Sequence, residues 1–110
     1  KIDKDYLARI IINLVNNASQ AKADNRKSVI NVDIEKIEKR IKIIVDDNGV
    51  GISPDKLGKI FDPNFTSKNS GMGIGLTMVK RMVEDYNGTI TVVSEVDKGA
   101  TFTISMPSNL

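Results

Sequence analysis

Two runs of alternating apolar and polar residues, at 28–37 and 41–47, most constrain the fold of this chain. In the first run Ile30, Val32 and Ile34 point to one side of an extended backbone, and polar residues point to the other. The second run resumes the alternation after a charged turn. The pattern predicts two neighbouring strands of an antiparallel sheet that is buried on one face.

The remaining sequence favours helices and a second hairpin. Apolar residues at helical spacing predict an amphipathic helix over residues 3–23, with Asp3 as its N-cap. Three further elements are expected: a short helix opened by Ser53 and Pro54 and ending near Phe61, a helix at 74–86 that stops at Asn87 and Gly88, and a hairpin at 89–106. The predicted fold class is α+β, a two-layer sandwich with three helices on one face of a mixed, mostly antiparallel sheet.

The composition fits one small domain, residues 1–110. The chain is 40% hydrophobic, enough for one core, and it contains no cysteine and no histidine, which excludes disulfides and thiolate metal sites. Its 16 basic and 14 acidic residues are spread along the sequence, so no nucleic-acid partner is expected. Because no apolar run is long enough to cross a bilayer, we expect a soluble segment without direct membrane contact, in a parent protein that is either soluble or membrane-anchored. The absence of cysteine is compatible with a cytoplasmic location.

Four amide side chains share one sector of the first predicted helix, on the side away from its apolar stripe: Asn13, Asn16, Asn17 and Gln20. Asparagine is a poor helix former, and a solvated face ordinarily carries lysine and glutamate. Amide oxygens can ligate a magnesium ion that phosphates already hold, without adding negative charge. An ordinary polar face is the alternative, and these residues alone leave it open.

Asp47 ends the second predicted strand, and alternation turns its carboxylate toward the core side. A buried carboxylate requires a partner, and the amino group of adenine is a suitable one. Gly49 and Gly51 follow, and they would let the backbone approach a flat base closely. A simple turn is the alternative interpretation of the DNGVG run.

A glycine run, GMGIGL at residues 71–76, leads into the next helix. The backbone N–H groups of a helix's first turn suit phosphate oxygens. The spacing is not that of a dinucleotide-binding fingerprint, and no phosphate-binding GKS or GKT is present. Lys68 in the preceding loop is positioned to meet phosphates, although a solvated lysine is the common alternative. Packing is the favoured interpretation of Phe61.

These elements together resemble the catalytic and ATP-binding domain of sensor histidine kinases. The superfamily, called GHKL and known for the Bergerat fold, also contains gyrase, mismatch-repair and heat-shock chaperone ATPases. Residues 13–18 look like its N box, 47–51 its G1 box, 61–68 its F box and 71–76 its G2 box. The similarity spans nearly the whole chain. A short lid, and Gln20 and Ala21 after Asn17, are most like the nitrogen-regulatory branch.

The resemblance implies a role for each matching residue. Asn17 and Asn13 would serve magnesium, Asp47 would read adenine, and residues 65–75 would form a lid over the phosphates. The implied ATP-binding residues are Asn13, Asn17, Asp47, Gly49, Gly51, Ile52, Phe65, Lys68, Gly71, Gly73, Gly75 and Leu76. Two positions depart from the family pattern. Asn64 stands where that branch has a phenylalanine, and Ala100 stands where many relatives have a threonine near the adenine. Thr101 cannot take the role of that threonine, because alternation points its side chain to the other face of the sheet.

The resemblance also implies the reaction. Hydrolysing relatives carry a glutamate one helical turn before the magnesium asparagine, and this chain has Asn13 there, whose amide cannot accept a proton. The chain is therefore expected to bind ATP with Mg²⁺ and to donate the γ-phosphate to a histidine. That histidine, absent here, would lie on a dimerisation domain of the same parent protein, which in turn would serve a response regulator.

No catalytic residue is assigned within the chain itself. A non-catalytic nucleotide-binding module that acts through protein contacts is the first alternative function. A plain ATPase of the same superfamily is the second, and Asn13 disfavours it.

Overall fold

The computed structural model describes residues 4–61 and 72–107. These residues form three helices and four strands: α1 (Lys4–Gln20), β1 (Ile30–Ile37), β2 (Arg40–Asp47), α2 (Pro54–Leu57), α3 (Met72–Asp85), β3 (Thr89–Glu95) and β4 (Gly99–Pro107). The predicted order of elements is confirmed, with shorter bounds for the first two helices. Asp3, the predicted N-cap of α1, lies outside the described residues.

The four strands form one sheet in the order β1-β2-β4-β3. All three pairings among these strands are antiparallel, so the parallel pairing of a mixed sheet is not found in the described part of the chain. Helices α1 and α3 pack against each other and against one face of the sheet. The predicted α+β class is therefore confirmed.

The core lies between α1, α3 and the two central strands. Ile43 of β2 pairs with Ile104 of β4, and Val45 pairs with Phe102, so alternate residues of both strands point toward the helices. Ile104 and Ile43 are fully buried. Helix α3 covers this face with residues such as Val79, which is also fully buried.

Strand β1 is less buried than its sequence predicts. Its register places Val32 opposite Val45 and Ile34 opposite Ile43, so both side chains point to the helix side as expected. They are nevertheless 39% and 55% exposed. The expectation of a half-buried strand is wrong here because β1 is at the edge of the described sheet, where it contacts α1 less than β2 does.

The second helix is also shorter than expected. Pro54 opens it, as predicted, but it ends at Leu57, before the chain reaches Phe61. Ser53 precedes the helix without a hydrogen bond from its side chain to the helix backbone; its carbonyl oxygen accepts the N–H groups of Lys56 and Leu57 instead.

Helix α3 ends as the sequence predicts, at an asparagine–glycine pair. Asn87 adopts a left-handed conformation with φ 61°. The N–H of Gly88 then donates to the carbonyl of Val83 over 2.9 Å, the long bond that closes a Schellman C-cap.

No helix within the described residues is long and apolar enough to span a membrane.

Candidate functional site

Asn17 lies on the buried face of α1, one helical turn before its end. Residues 10, 14, 17 and 21 follow helical spacing, so Asn17 shares the face of Ile10 and Leu14. It is only 6% exposed. The prediction that all four amides lie away from the apolar stripe is therefore wrong for Asn17, whereas Asn16 and Gln20 are exposed and Asn13 is half-buried.

The amide nitrogen of Asn17 is buried and has no hydrogen-bond partner among the described residues. Buried polar groups are normally hydrogen-bonded, so an orphaned amide indicates a group that a ligand can satisfy. The amide oxygen and nitrogen exchange places by rotation of the side chain. Asn17 can therefore present either a donor or an acceptor at this point.

Asp47 lies at the end of β2 on the same side of the sheet as the helices, as alternation predicts, and is 6% exposed. Its Oδ1 accepts a hydrogen bond of 2.8 Å from the N–H of Gly49. Burial raises the pKa of this carboxyl group above its ordinary value, and the backbone N–H groups of Gly49 and Ala100 oppose that rise. The charged form is thus held by backbone donors but is poorly solvated.

A pocket opens between these two polar residues. Its lining comes from α1, the end of β2, the loop after β2, and the start of β4: Asn17, Ala18, Ala21, Asp47, Gly51, Ile52, Ala100 and Phe102. The cavity volume is about 10 Å³, the space of roughly one water, and reaches about 290 Å³ when the open mouth is counted. A planar ligand therefore requires side chains around the pocket to move aside.

Two glycines allow the loop after β2 to pass close to other backbone segments. A Cβ at Gly49 would collide with the carbonyl of Ala21, which accepts the N–H of Val50 over 2.8 Å. Gly51 has φ +77°, and a Cβ there would collide with the carbonyl of Glu95. Both glycines were expected to allow close approach of a base, and the structure shows that neighbouring backbone segments of the protein itself require them.

The structure brings only part of the predicted set together. Asn17, Asp47, Gly51 and Ile52 line the pocket, and Gly49 holds the Asp47 carboxylate. Asn13 is one turn away on α1 and is not a lining residue.

The other predicted residues come from the third helix and the loop before it. Leu76 is 2% exposed and belongs to the hydrophobic core. Gly73 and Gly75 lie in the first turn of α3. Phe65, Lys68, Gly71 and the lid departure at Asn64 lie outside the described residues.

Two predictions about neighbouring side chains are confirmed. Thr101 points to the opposite face of the sheet, where its hydroxyl lies 2.8 Å from Oδ1 of Asp46, so the pocket meets Ala100 instead. Phe61 is partly buried and packs against the core, edge-to-face on Phe102, with ring centroids 6.5 Å apart.

The sequence analysis missed two residues that connect the loops around the pocket. Ser94 accepts the N–H of Ile52 over 2.7 Å and donates to the carbonyl of Gly99 over 2.8 Å. Arg26 donates to three backbone carbonyls, those of Asn48, Gly49 and Asp97. Alternation places Ser94 on the helix side of β3, but no sequence pattern distinguishes Arg26 from a solvated loop arginine.

The fold is that of histidine kinase catalytic domains. The catalytic domain of histidine kinase ThkA, in a nucleotide-free form, superimposes with a TM-score of 0.83 and 28% identity over 96% of this chain and 69% of that one. Full-length ShkA in complex with AMPPNP matches with a TM-score of 0.77 and 27% identity, over 93% of this chain and 21% of that one.

A family model described as histidine kinase-, DNA gyrase B- and HSP90-like ATPase matches residues 2–110. The chain belongs to this ATPase family. The sensor histidine kinase ZraS of Escherichia coli K12 is 43% identical over 108 residues, 98% of this chain and 23% of ZraS. Sporulation kinase D of Bacillus subtilis is 37% identical over 107 residues, 97% of this chain and 21% of the kinase. The chain thus spans less than a quarter of these two relatives.

Proposed function

We propose that this chain is the ATP-binding catalytic domain of a sensor histidine kinase. It binds ATP with Mg²⁺ and donates the γ-phosphate to a histidine on the dimerisation domain of its parent protein. A response regulator takes the phosphate from that histidine, and the domain works in the cytoplasm. Family membership and the similarity to ZraS and sporulation kinase D support the proposal.

One observation carries the binding part of the proposal: Asn17 and Asp47, each 6% exposed, line the same pocket. A buried carboxylate and a buried orphan amide both cost stability when no ligand is present. Such groups are characteristic of binding sites, where they contact a ligand of complementary chemistry.

The pocket chemistry suits adenine. Its walls are apolar at Ile52, Ala100 and Phe102, as the faces of a flat base require. The Asp47 carboxylate accepts a hydrogen bond from the amino group of adenine, and it repels guanine, whose carbonyl oxygen would face it. The pocket therefore favours ATP over GTP.

The amide of Asn17 fits a magnesium site on bound phosphates. Its oxygen is a hard, neutral ligand of the type that Mg²⁺ takes in addition to phosphate oxygens and water. Asn13, one turn earlier, is the second candidate ligand. When bound, the ion neutralises the charge that develops on the transferred phosphoryl group. The protein's part in the reaction is to hold the nucleotide and to orient it toward the acceptor.

Replacing Asn17 by alanine tests the metal assignment. The change removes an amide whose nitrogen has no hydrogen-bond partner among the described residues, so the fold is expected to persist. Magnesium-dependent ATP affinity is expected to fall by about tenfold or more, as measured by calorimetry with and without Mg²⁺.

Asn16→Ala is the matched control, because Asn16 is an exposed asparagine on the same helix. It is expected to leave ATP affinity unchanged. If Asn17→Ala unfolds the chain, or if it binds ATP as tightly as the wild type in Mg²⁺, Asn17 has no metal role. A wild-type chain that binds no ATP contradicts the proposed function as a whole.

A further inference from the structure

We propose that Arg26 is a positioning residue for the nucleotide pocket and that it sets the selectivity for adenine. This inference rests on the proposed function. Arg26 lies between α1 and β1 and does not itself line the pocket. It acts through the backbone of the loop that follows β2.

The guanidinium of Arg26 connects two loops through three short hydrogen bonds. Nε donates to the carbonyl of Asn48, and Nη2 donates to the carbonyls of Gly49 and Asp97, each over 2.7 Å. Nη1 donates to Oδ1 of Asn25 over 3.1 Å. One side chain thus holds residues 48 and 49 after β2 and residue 97 between β3 and β4.

The bond to Asn48 couples Arg26 to the base-reading carboxylate. The carbonyl of Asn48 accepts from Nε of Arg26, and it shares a peptide group with the N–H of Gly49. That N–H donates to Oδ1 of Asp47 over 2.8 Å. The next peptide group is held through the carbonyl of Gly49. Without Arg26 both peptide groups lose a hydrogen bond on their carbonyls, so the donor to the Asp47 carboxylate is less firmly oriented.

The bond to Asp97 couples Arg26 to the opposite wall. Asp97 adopts a left-handed conformation with φ 68°, and its N–H donates to the carbonyl of Val50 over 2.8 Å. Two residues later the chain enters β4, which supplies the lining residues Ala100 and Phe102. Arg26 therefore holds the loop that follows Asp47 against the turn that leads into this wall.

An arginine is suited to this role because its planar group donates in several fixed directions. A lysine at the same position has a compact ammonium group on a flexible stem and cannot reproduce the fork. A conservative Arg26→Lys change is therefore expected to keep the positive charge but to lose the arrangement of the three hydrogen bonds.

The test compares three ligands by calorimetry: ATP, GTP and inorganic tripolyphosphate, each with Mg²⁺. In Arg26→Ala, ATP affinity is expected to fall by about tenfold and the ratio of ATP to GTP affinity by a similar factor. Tripolyphosphate, which lacks a base, is expected to bind equally well to variant and wild type. Arg26→Lys is expected to recover only part of the selectivity.

Arg40→Ala is the control, because Arg40 donates to the hydroxyl of Ser105 and contacts neither loop. It is expected to leave the ATP to GTP ratio unchanged. An equal loss for all three ligands in both Arg26 variants would show a merely structural residue, and unchanged selectivity in Arg26→Ala would also overturn the proposal. If the wild type itself binds ATP and GTP equally, the assignment of Asp47 fails first, and the inference about Arg26 fails with it.

Discussion

Incubated alone with Mg²⁺ and γ-labelled ATP, the chain is expected to acquire no acid-labile label and to release phosphate slowly. The sequence contains no histidine, and position 13 carries an amide that cannot activate water as a base. When the dimerisation domain of the parent is added, label is expected on its histidine, because a bound γ-phosphate then meets a positioned acceptor.

The experiment follows both products, labelled protein and free phosphate, for the chain alone and for the mixture. A dimerisation domain whose histidine is replaced by alanine is the control and is expected to stay unlabelled. Brisk phosphate release from the chain alone would indicate an ATPase. A mixture that binds ATP but transfers no label would indicate a non-catalytic binding module.

Asp47→Asn is expected to have opposite effects on binding and on stability. The amide of Asn presents a mismatched group to adenine, so the binding free energy of ATP should weaken by about 1 to 3 kcal/mol. The affinity should then fall roughly 5- to 150-fold. The preference for ATP over GTP should be lost with it. Calorimetry with both nucleotides measures each effect.

The stability effect follows from the raised pKa of Asp47, which burial causes. The folded chain holds this proton more tightly than the unfolded chain, so the contribution of Asp47 to the free energy of unfolding decreases as pH rises through the raised pKa. Because asparagine does not ionise, Asp47→Asn removes this pH-dependent decrease in the free energy of unfolding. The variant is expected to be at least as stable as the wild type at pH 7, with a smaller difference at pH 4.

Asp46→Asn is the matched control, because Asp46 is the adjacent carboxylate and its Oδ1 lies 2.8 Å from the Thr101 hydroxyl on the other face. It should leave the ATP to GTP ratio unchanged. Denaturant unfolding at both pH values measures stability. A variant of Asp47 that unfolds more easily at pH 7 than at pH 4, relative to wild type, would contradict the account of the buried charge.

The sequence predicts those features that depend on local periodicity. Alternation in β2 is sufficient to direct Asp47 toward the helices, because period two fixes the side of every residue once Ile43 and Val45 are buried. The same rule sends Thr101 to the opposite face. Gly88 ends α3 as expected, because the bond that closes a Schellman cap depends only on neighbouring backbone.

Features that depend on tertiary neighbours are not predictable in this way. Alternation in β1 is as regular as in β2, but Ile34 is exposed because the strand is at the edge, and sheet order is not a property of one strand. The burial of Asn17 was not predictable from helical spacing, because it depends on how wide a face of α1 is buried. That width is set by the packing of α1 on α3 and the sheet. Arg26 contacts carbonyls 22, 23 and 71 residues away in sequence.

Amide NMR spectra during a titration with Mg²⁺ and ATP show whether adenine binds in the pocket between Asn17 and Asp47. We expect the largest shifts at the amides of Gly51 and Ala100, which line the pocket, and of Gly49, which donates to Asp47. Thr91 and Thr103, paired on the opposite face of the sheet, should change little. Shifts centred on Thr91 and Thr103, with Gly49 and Ala100 unaffected, would contradict adenine binding in this pocket.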